Sequence, residues 1–196
     1  MNTRFKVVLP LLLLVLPVVV QAQFAYTTNQ GAITITKYTG SGGAVTIPDA
    51  TNGYPVTRIG RTAFYDLTCV TSVTIPNNVM NIEAYAFGYC YEMTNATIGK
   101  SVANIGDYAF SDCWRLTNVY FQGNAPTCGA SLFYDDSATV FYMPGRTGWG
   151  GTFAGRPAVL WKPSVQTTNA ITGVQTNQHE FSRSKRGLAT NQEPHR

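Results

Sequence analysis

The chain has 196 residues, 44% hydrophobic and only 12% charged, with a formal net charge of +4. That length suits one folded domain. Arg4 and Lys6 at the start and Arg183, Lys185, Arg186 and Arg196 near the end carry the excess, leaving residues 23–163 with eight basic and eight acidic side chains. A body this neutral excludes long-range electrostatic capture of a nucleic acid as its mode of action.

Residues 1–22 read as a segment outside the fold. Arg4 and Lys6 precede a run from Val7 to Val20 built almost wholly of Leu, Val and Pro, and Val20-Gln21-Ala22 follows. A basic start, a short apolar stretch and small residues at a cleavage position predict a secretory signal cut after Ala22. A transmembrane anchor is disfavoured because the run is shorter than the ~20 residues of a span and contains Pro10 and Pro17. The expected mature chain is secreted or at the cell surface, with no membrane span once the signal is removed.

Residues 23–55 are predicted to form an N-terminal cap. Phe24–Tyr26, Ala32–Tyr38 and Val45–Pro48 read as strands around Gly-rich turns, and Asn52-Gly53-Tyr54-Pro55 joins them to the repeated units.

Residues 56–124 hold three consecutive 23-residue units, Val56–Asn78, Val79–Ser101 and Val102–Asn124. A short fixed period means that each unit buries its apolar side only against its neighbours, as in a solenoid. Superposing the units gives apolar columns: Ile59, Ile82 and Ile105; Phe64, Phe87 and Phe110, each preceded by Ala; Val70, Met93 and Leu116; Val73, Ala96 and Val119; Ile75, Ile98 and Phe121. Val70–Ile75 is rich in Val and Thr and ends at Pro76, which reads as a short strand with its proline where a missing N–H interrupts little. Met93–Ile98 and Leu116–Phe121 are its equivalents. Between strands, Ile-Gly-x-x-Ala-Phe predicts a turn entering a short helical or 3₁₀ corner, with no segment periodic enough for a regular helix. Glu83 replaces the Gly of that pair in the second unit, so the turn there cannot depend on a left-handed backbone.

Residues 125–163 read as a shortened repeat and C-terminal cap. Phe133 lies one period after Phe110, Val140–Pro144 resembles a shortened strand, and Trp149 and Pro157–Trp161 supply aromatic and apolar residues to close the core. Residues 164–196 turn to Thr, Asn, Gln and Ser and are predicted to be disordered, having too little to bury against the entropy of ordering.

The cysteines follow the register. Cys90 and Cys113 share a column one rung apart, at the ~4.8 Å spacing of neighbouring strands. That spacing permits a disulfide, but parallel Cβ vectors favour two buried thiols. Cys69 aligns with Glu92 and Arg115 and is expected to be exposed; Cys128 aligns with Ile105 and is expected to point inward. Those two lie too far apart along the stack to pair.

These residues resemble the BspA-type leucine-rich repeats of exported bacterial proteins. The matching elements are the strand-proline signature Val73-Thr74-Ile75-Pro76, the Ile-Gly-x-x-Ala-Phe signature at Ile59–Phe64 and Ile105–Phe110, and the cysteines that follow at Cys90 and Cys113. The resemblance covers roughly Phe24 to Trp161. It implies a β-rich, leucine-rich-repeat-like solenoid of about five rungs, capped at both ends, secreted and serving adhesion or recognition, with no shared catalytic residues. Val165–Asn169 through Thr176–Gln178 looks like the opening of a further β-rich segment that comes after such repeats in similar proteins, so the ending reads as truncated or frame-altered.

No catalytic, metal or cofactor site is predicted. The two histidines, His179 and His195, lie in the tail, so residues 23–163 supply no imidazole base or ligand. Asp66 and Asp112 share a column two rungs apart, about 10 Å, near the upper separation for an inverting glycosidase pair; solvated turn residues are the better reading. Asp135-Asp136 likewise reads as a turn, with too few neighbouring oxygen ligands for calcium. Glu92 and Arg115, one rung apart, read as a surface ion pair.

The outward strand positions have the most regular chemistry: Thr71, Ser72 and Thr74; Thr94, Asn95 and Thr97; Thr117, Asn118 and Tyr120. Short, stiff hydrogen-bonding groups suit a protein or glycan surface, although Thr is also simply a good exposed strand residue. Five rungs span ~24 Å, and one strand width of that is less than the ~800 Å² per partner of a standard interface. Binding is therefore expected to be weak per copy. The alternatives are a structural spacer or envelope component without a ligand and, less favoured, a carbohydrate-active enzyme using Asp66 and Asp112.

Overall fold

The computed structural model describes residues 23–161; the expected signal at 1–22 and the polar tail at 164–196 lie outside them. β1 (Phe24–Asn29) and β2 (Ala32–Tyr38) form an antiparallel hairpin turning through Gln30 and Gly31, both with left-handed φ. β3 (Gly43–Thr46) opens a second sheet, and β4 (Ala50–Thr51) folds back antiparallel on β5 (Tyr54–Ile59). The chain then alternates through β6 (Val70–Thr74), β7 (Asn81–Ile82), β8 (Asn95–Ile98), β9 (Asn104–Ile105), β10 (Asn118–Phe121), β11 (Thr127–Cys128) and β12 (Thr139–Tyr142). Odd-numbered members of this series extend β5 and even-numbered ones extend β3, all in parallel. β13 (Thr152–Phe153) and β14 (Arg156–Leu160) end the described chain, β14 lying parallel on β12 and antiparallel to β13.

The result is a β-solenoid of about five turns, the steps between the six parallel strands β3, β6, β8, β10, β12 and β14. Its register follows the 23-residue period: Ser72 pairs with Asn95 and Asn95 with Asn118, and Val73, Ala96 and Val119 lie in register beside them. At both ends the parallel order gives way to antiparallel pairing.

Stacking puts like residues in like surroundings. Phe64 and Phe87 stack at 4.7 Å between ring centroids, Phe87 and Phe110 at 5.0 Å, and Phe110 and Phe133 at 6.0 Å. Tyr38 extends the column below Phe64 at 5.3 Å. The Ile, Met/Leu and Val/Ala columns read from the sequence are buried alongside. A buried ring contributes about 1.5–3 kcal/mol through its apolar area, and ring pairs add about 0.5–1.5 kcal/mol.

The corners are not helical. Thr62 and Asp66 have φ of 55° and 57°, and the pattern recurs at Tyr85 and Tyr89, Tyr108 and Asp112, and Ser131 and Asp135. Right-handed 3₁₀ and α segments contain no such residues. The cause is the ladder: the amides of Thr62, Phe64 and Asp66 donate to the carbonyls of Ala84, Ala86 and Gly88 one rung away. A helical corner would turn those amides inward along the chain. The glycine of the Ile-Gly pair serves close approach, not handedness. A Cβ on Gly106 would lie 2.5 Å from the amide nitrogen of Ala84, and its φ is not left-handed. Glu83 is also free of left-handed strain, and its carboxylate accepts from the Arg61 amide and pairs with Arg58.

Cys128 departs from expectation. It pairs in register with Ile105, yet it is exposed, because β11 is the terminal strand of its sheet and no further rung among the described residues covers it. Cys69 is exposed as expected, and Cys90 and Cys113 are free buried thiols. The Cys90 Sγ donates to the Phe64 carbonyl and the Cys113 Sγ to that of Phe87, each at 3.1 Å, so each ties its corner to the rung before. Burial pushes the Cys90 thiol up to about 12 and the Cys113 thiol further the same way, which keeps both protonated and unreactive.

Candidate recognition face

Three successive strands position the outward residues, since alternate side chains of a strand point to opposite faces. Val73, Ala96 and Val119 face the core, while their neighbours face out. None of the nine residues Thr71, Ser72, Thr74, Thr94, Asn95, Thr97, Thr117, Asn118 and Tyr120 is buried. Six of them lie on two ladders along the stack. Ser72, Asn95, Asn118 and Thr139 make one; Thr46, Thr74, Thr97 and Tyr120 lead the other.

Part of this chemistry is used internally. Asn118 Nδ2 donates to Asn95 Oδ1 at 2.9 Å and to Thr117 Oγ1 at 3.0 Å, and Asn95 Nδ2 donates to Thr94 Oγ1 at 2.8 Å. The Thr94 and Thr117 hydroxyls donate to the carbonyls of Thr71 and Thr94 one rung below. These bonds fix the amide planes and hold the ladder rigid. Among the described residues the hydroxyls of Ser72, Thr74, Thr97 and Tyr120 have no such protein partner, and they face water.

The face also continues beyond the nine residues. In the second ladder Tyr120 pairs with Phe141 and Phe141 with Val159. The Tyr120 and Phe141 rings stack at 5.1 Å, and Trp161 leans on Tyr120 at 5.2 Å. Val159 is 46% exposed. The surface is thus graded, threonine at one end and aromatic at the other. Sequence reasoning missed this extension because β12 follows β10 after 21 residues, not 23. The shortened step moves Phe141 onto the Tyr120 ladder, whereas a strict period aligns it with Asn118.

Asp66 and Asp112 share a column with Tyr89 between them, as expected, and each occupies a left-handed corner position. Asp is one of the few residues that tolerates that backbone, so neither carboxylate needs a catalytic role to explain its place. Glu92 and Arg115 form the surface ion pair. Among the described residues no group of three or more His, Cys, Asp or Glu side chains is placed to hold a metal ion.

Asp136 lies at the corner after Phe133 and is buried, contrary to a simple exposed turn. Its Oδ1 accepts from the Ala138 amide at 3.2 Å and faces Arg156 Nε at 3.5 Å, while Oδ2 has no partner among the described residues. Burial raises its carboxyl to about 7, although the Ala138 amide and Arg156 pull the other way.

The geometry agrees with known proteins. A leucine-rich repeat protein from Bacteroides capillosus is 26% identical, with a TM-score of 0.55, over 61% of this chain and 94% of that one. A leucine-rich repeat protein from Bacteroides ovatus is 23% identical, with a TM-score of 0.53, over 71% of this chain; this chain spans 40% of its length. No curated protein matches the sequence. The family model of the BspA type leucine rich repeat region matches in six copies over residues 33–147, where the sequence alone gives three full units and shortened flanks. That match spans more than half of the chain, and the chain belongs to the BspA-type leucine-rich repeat family.

Proposed function

We propose that the protein is an exported, non-enzymatic recognition module that engages protein or glycan surfaces through the outward face of β6, β8 and β10. The observation that carries this reading is the pair of in-register ladders, rigid at Asn95 and Asn118 and graded from threonine hydroxyls to the Tyr120–Phe141–Trp161 cluster. Preorganised groups lose little entropy on binding, and aromatic rings beside open hydroxyls suit both sugar rings and polar protein surfaces. The area is small, so each copy binds weakly and useful adhesion needs several copies. Asp66 and Asp112 serve the backbone of their corners, which leaves the glycosidase reading without support.

One observation favours a spacer without a ligand: Thr94, Asn95, Thr117 and Asn118 spend hydrogen bonds on one another and on the rung below. The two readings part on one experiment. The full chain is screened against immobilised matrix proteins and glycans, and Thr94→Ala, Asn95→Ala, Thr117→Ala and Tyr120→Ala are combined. We expect the captured surface to lose about ten-fold in affinity or more, since centrally placed aromatic residues dominate interface energetics. Unchanged binding with an unchanged far-ultraviolet spectrum assigns the face to scaffolding.

A further inference from the structure

The corners carry a second surface that neither the strand face nor the core explains. Trp114 meets Tyr91 at 4.7 Å between ring centroids, Tyr91 meets Tyr89 at 6.0 Å, and Tyr89 meets Tyr65 at 5.2 Å. Tyr65 continues to Tyr85 at 6.3 Å, and Tyr85 stacks on Tyr108 at 5.0 Å with planes 7° apart. Trp114 is 61% and Tyr65 42% exposed, and none of the six rings is buried. Tyr108 meets Tyr134, 58% exposed, at 6.4 Å, so seven aromatic side chains form one continuous belt across four rungs.

Folding does not account for it. Tyr85, Tyr89 and Tyr108 have φ of 56°, 63° and 55°, a backbone that disfavours bulky side chains and suits Asp, Asn or Gly. The Tyr89 column shows what the backbone prefers, with Asp66, Asp112 and Asp135 on the other rungs, while the column of Tyr85 and Tyr108 has the small Thr62 and Ser131. Tyrosines kept at strained, partly exposed positions point to a role outside the fold.

Charge selects the partner. Among the described residues the ion pairs are Arg58–Glu83, Arg115–Glu92 and Arg156–Asp136, so Asp66, Asp112 and Asp135 have no cation of their own. Their field reaches the belt: Asp112 is the first cause holding the Tyr89 hydroxyl above its usual range, and Asp66 and Asp112 come after burial in raising Tyr91. The belt already holds one cation, the Arg61 guanidinium, whose carbon lies 5.6 Å from the Tyr85 ring centroid. Guanidinium groups over tyrosine and tryptophan faces are attracted by the ring quadrupole, and nearby carboxylates supply a bidentate partner. Hydroxyls of a neutral sugar would donate to these carboxylates but leave their charge uncompensated, whereas a guanidinium both donates to them and neutralises them. A single small cation would need a closed cage, whereas this belt is open and elongated.

We propose that the corner belt is a second binding surface, for an arginine-rich stretch of a partner polypeptide, with guanidinium groups lying on Tyr89, Tyr91 and Trp114 and pairing with Asp66 and Asp112. The inference is independent of the strand face and holds whether or not that face binds anything.

Labelled octa-arginine titrated into the full chain, followed by anisotropy, tests it. Wild type should bind, more weakly as salt rises. Asp66→Asn with Asp112→Asn should weaken binding about three- to ten-fold. Tyr89→Asn should weaken it roughly two- to five-fold while raising the unfolding midpoint, because Asn suits the left-handed backbone; loss of fold is thereby separated from loss of site. Asp49→Asn and the combined strand-face variant should bind as wild type does. Absence of binding by wild type overturns the proposal, as does binding unaffected by the Asp66/Asp112 and Tyr89 changes or weakened equally by Asp49→Asn. Binding of an uncharged glucose hexasaccharide at Trp114 in place of octa-arginine also overturns it, by assigning the belt to glycans.

Discussion

Phe87→Ala should lower unfolding stability by about 3–5 kcal/mol. Phe87 is fully buried and stacks on Phe64 at 4.7 Å and on Phe110 at 5.0 Å. Truncation removes the ring's transfer free energy and opens a void in the middle of the column, which the neighbouring rings cannot fill because lateral backbone bonds pin them. The Phe64 amide is tied to the Ala86 carbonyl and the Phe87 amide to that of Ala109. The loss should also uncouple the rungs on either side, since a solenoid holds together only through its nearest-neighbour interfaces. A urea titration followed by circular dichroism measures both effects: the midpoint drops, and the single transition broadens or divides. A cost under about 1 kcal/mol with one sharp transition would mean that the ring column does not carry the core.

Asp136→Asn should stabilise the protein above neutral pH by roughly 2–3 kcal/mol, a figure that allows for solvent beside the last rungs. Well below pH 3.8 the Asp136 carboxyl is neutral in the folded and unfolded chain alike and costs nothing. As pH rises the unfolded chain ionises near 3.8, while burial holds the folded group protonated to about 7. The folded state binds the extra proton, so stability falls across this window and levels off above it. Asparagine keeps the shape and removes the titration. The difference in unfolding free energy between variant and wild type, measured at steps from pH 4 to pH 8, should grow in favour of asparagine. A variant less stable than wild type at pH 8 would show that the Arg156 pairing at 3.5 Å outweighs desolvation.

The period made much of this molecule legible. The column assignments of Ile59, Phe64, Val70, Val73 and Ile75 with their repeats, the strand ends at proline, the exposure of Cys69 and the Glu92–Arg115 pair all come from stacking like on like. What the period hides is whatever depends on a broken step or on the end of the stack. Phe141 reaches the Tyr120 ladder only because the β10-to-β12 step is 21 residues. Cys128 is exposed because no rung among the described residues covers it. Asp136 is buried because Arg156, beyond the repeats, folds back and donates to the Phe133 carbonyl at 2.6 Å. The corner geometry was hidden for another reason: an Ile-Gly-x-x-Ala-Phe pattern fits a helical turn as well as a laddered one, and only the bonds to the next rung decide between them. The aromatic belt escaped because, although Tyr85 and Tyr108 share one repeat position and Tyr91 and Trp114 another, the contacts of Tyr65 that join these pairs run diagonally across rungs.

Direct cross-linking of the strand ladder tests whether the units stack in a 23-residue register and present one continuous outward face. With Cys69 and Cys128 replaced by serine, cysteines are placed at Asn95 and Asn118, which are register partners on neighbouring parallel strands, and in a second variant at Asn95 and Tyr120. Directly opposed positions meet the Cα spacing of a disulfide, whereas a two-residue offset along the strand lies beyond it. Mild oxidation should close the Asn95–Asn118 pair, whose outward thiols ionise and rotate toward each other where burial and carbonyl hydrogen bonds keep Cys90 and Cys113 apart, and leave the Asn95–Tyr120 pair open. Equal rates in the two variants, or faster closure of the offset pair, would contradict the register and the face built on it.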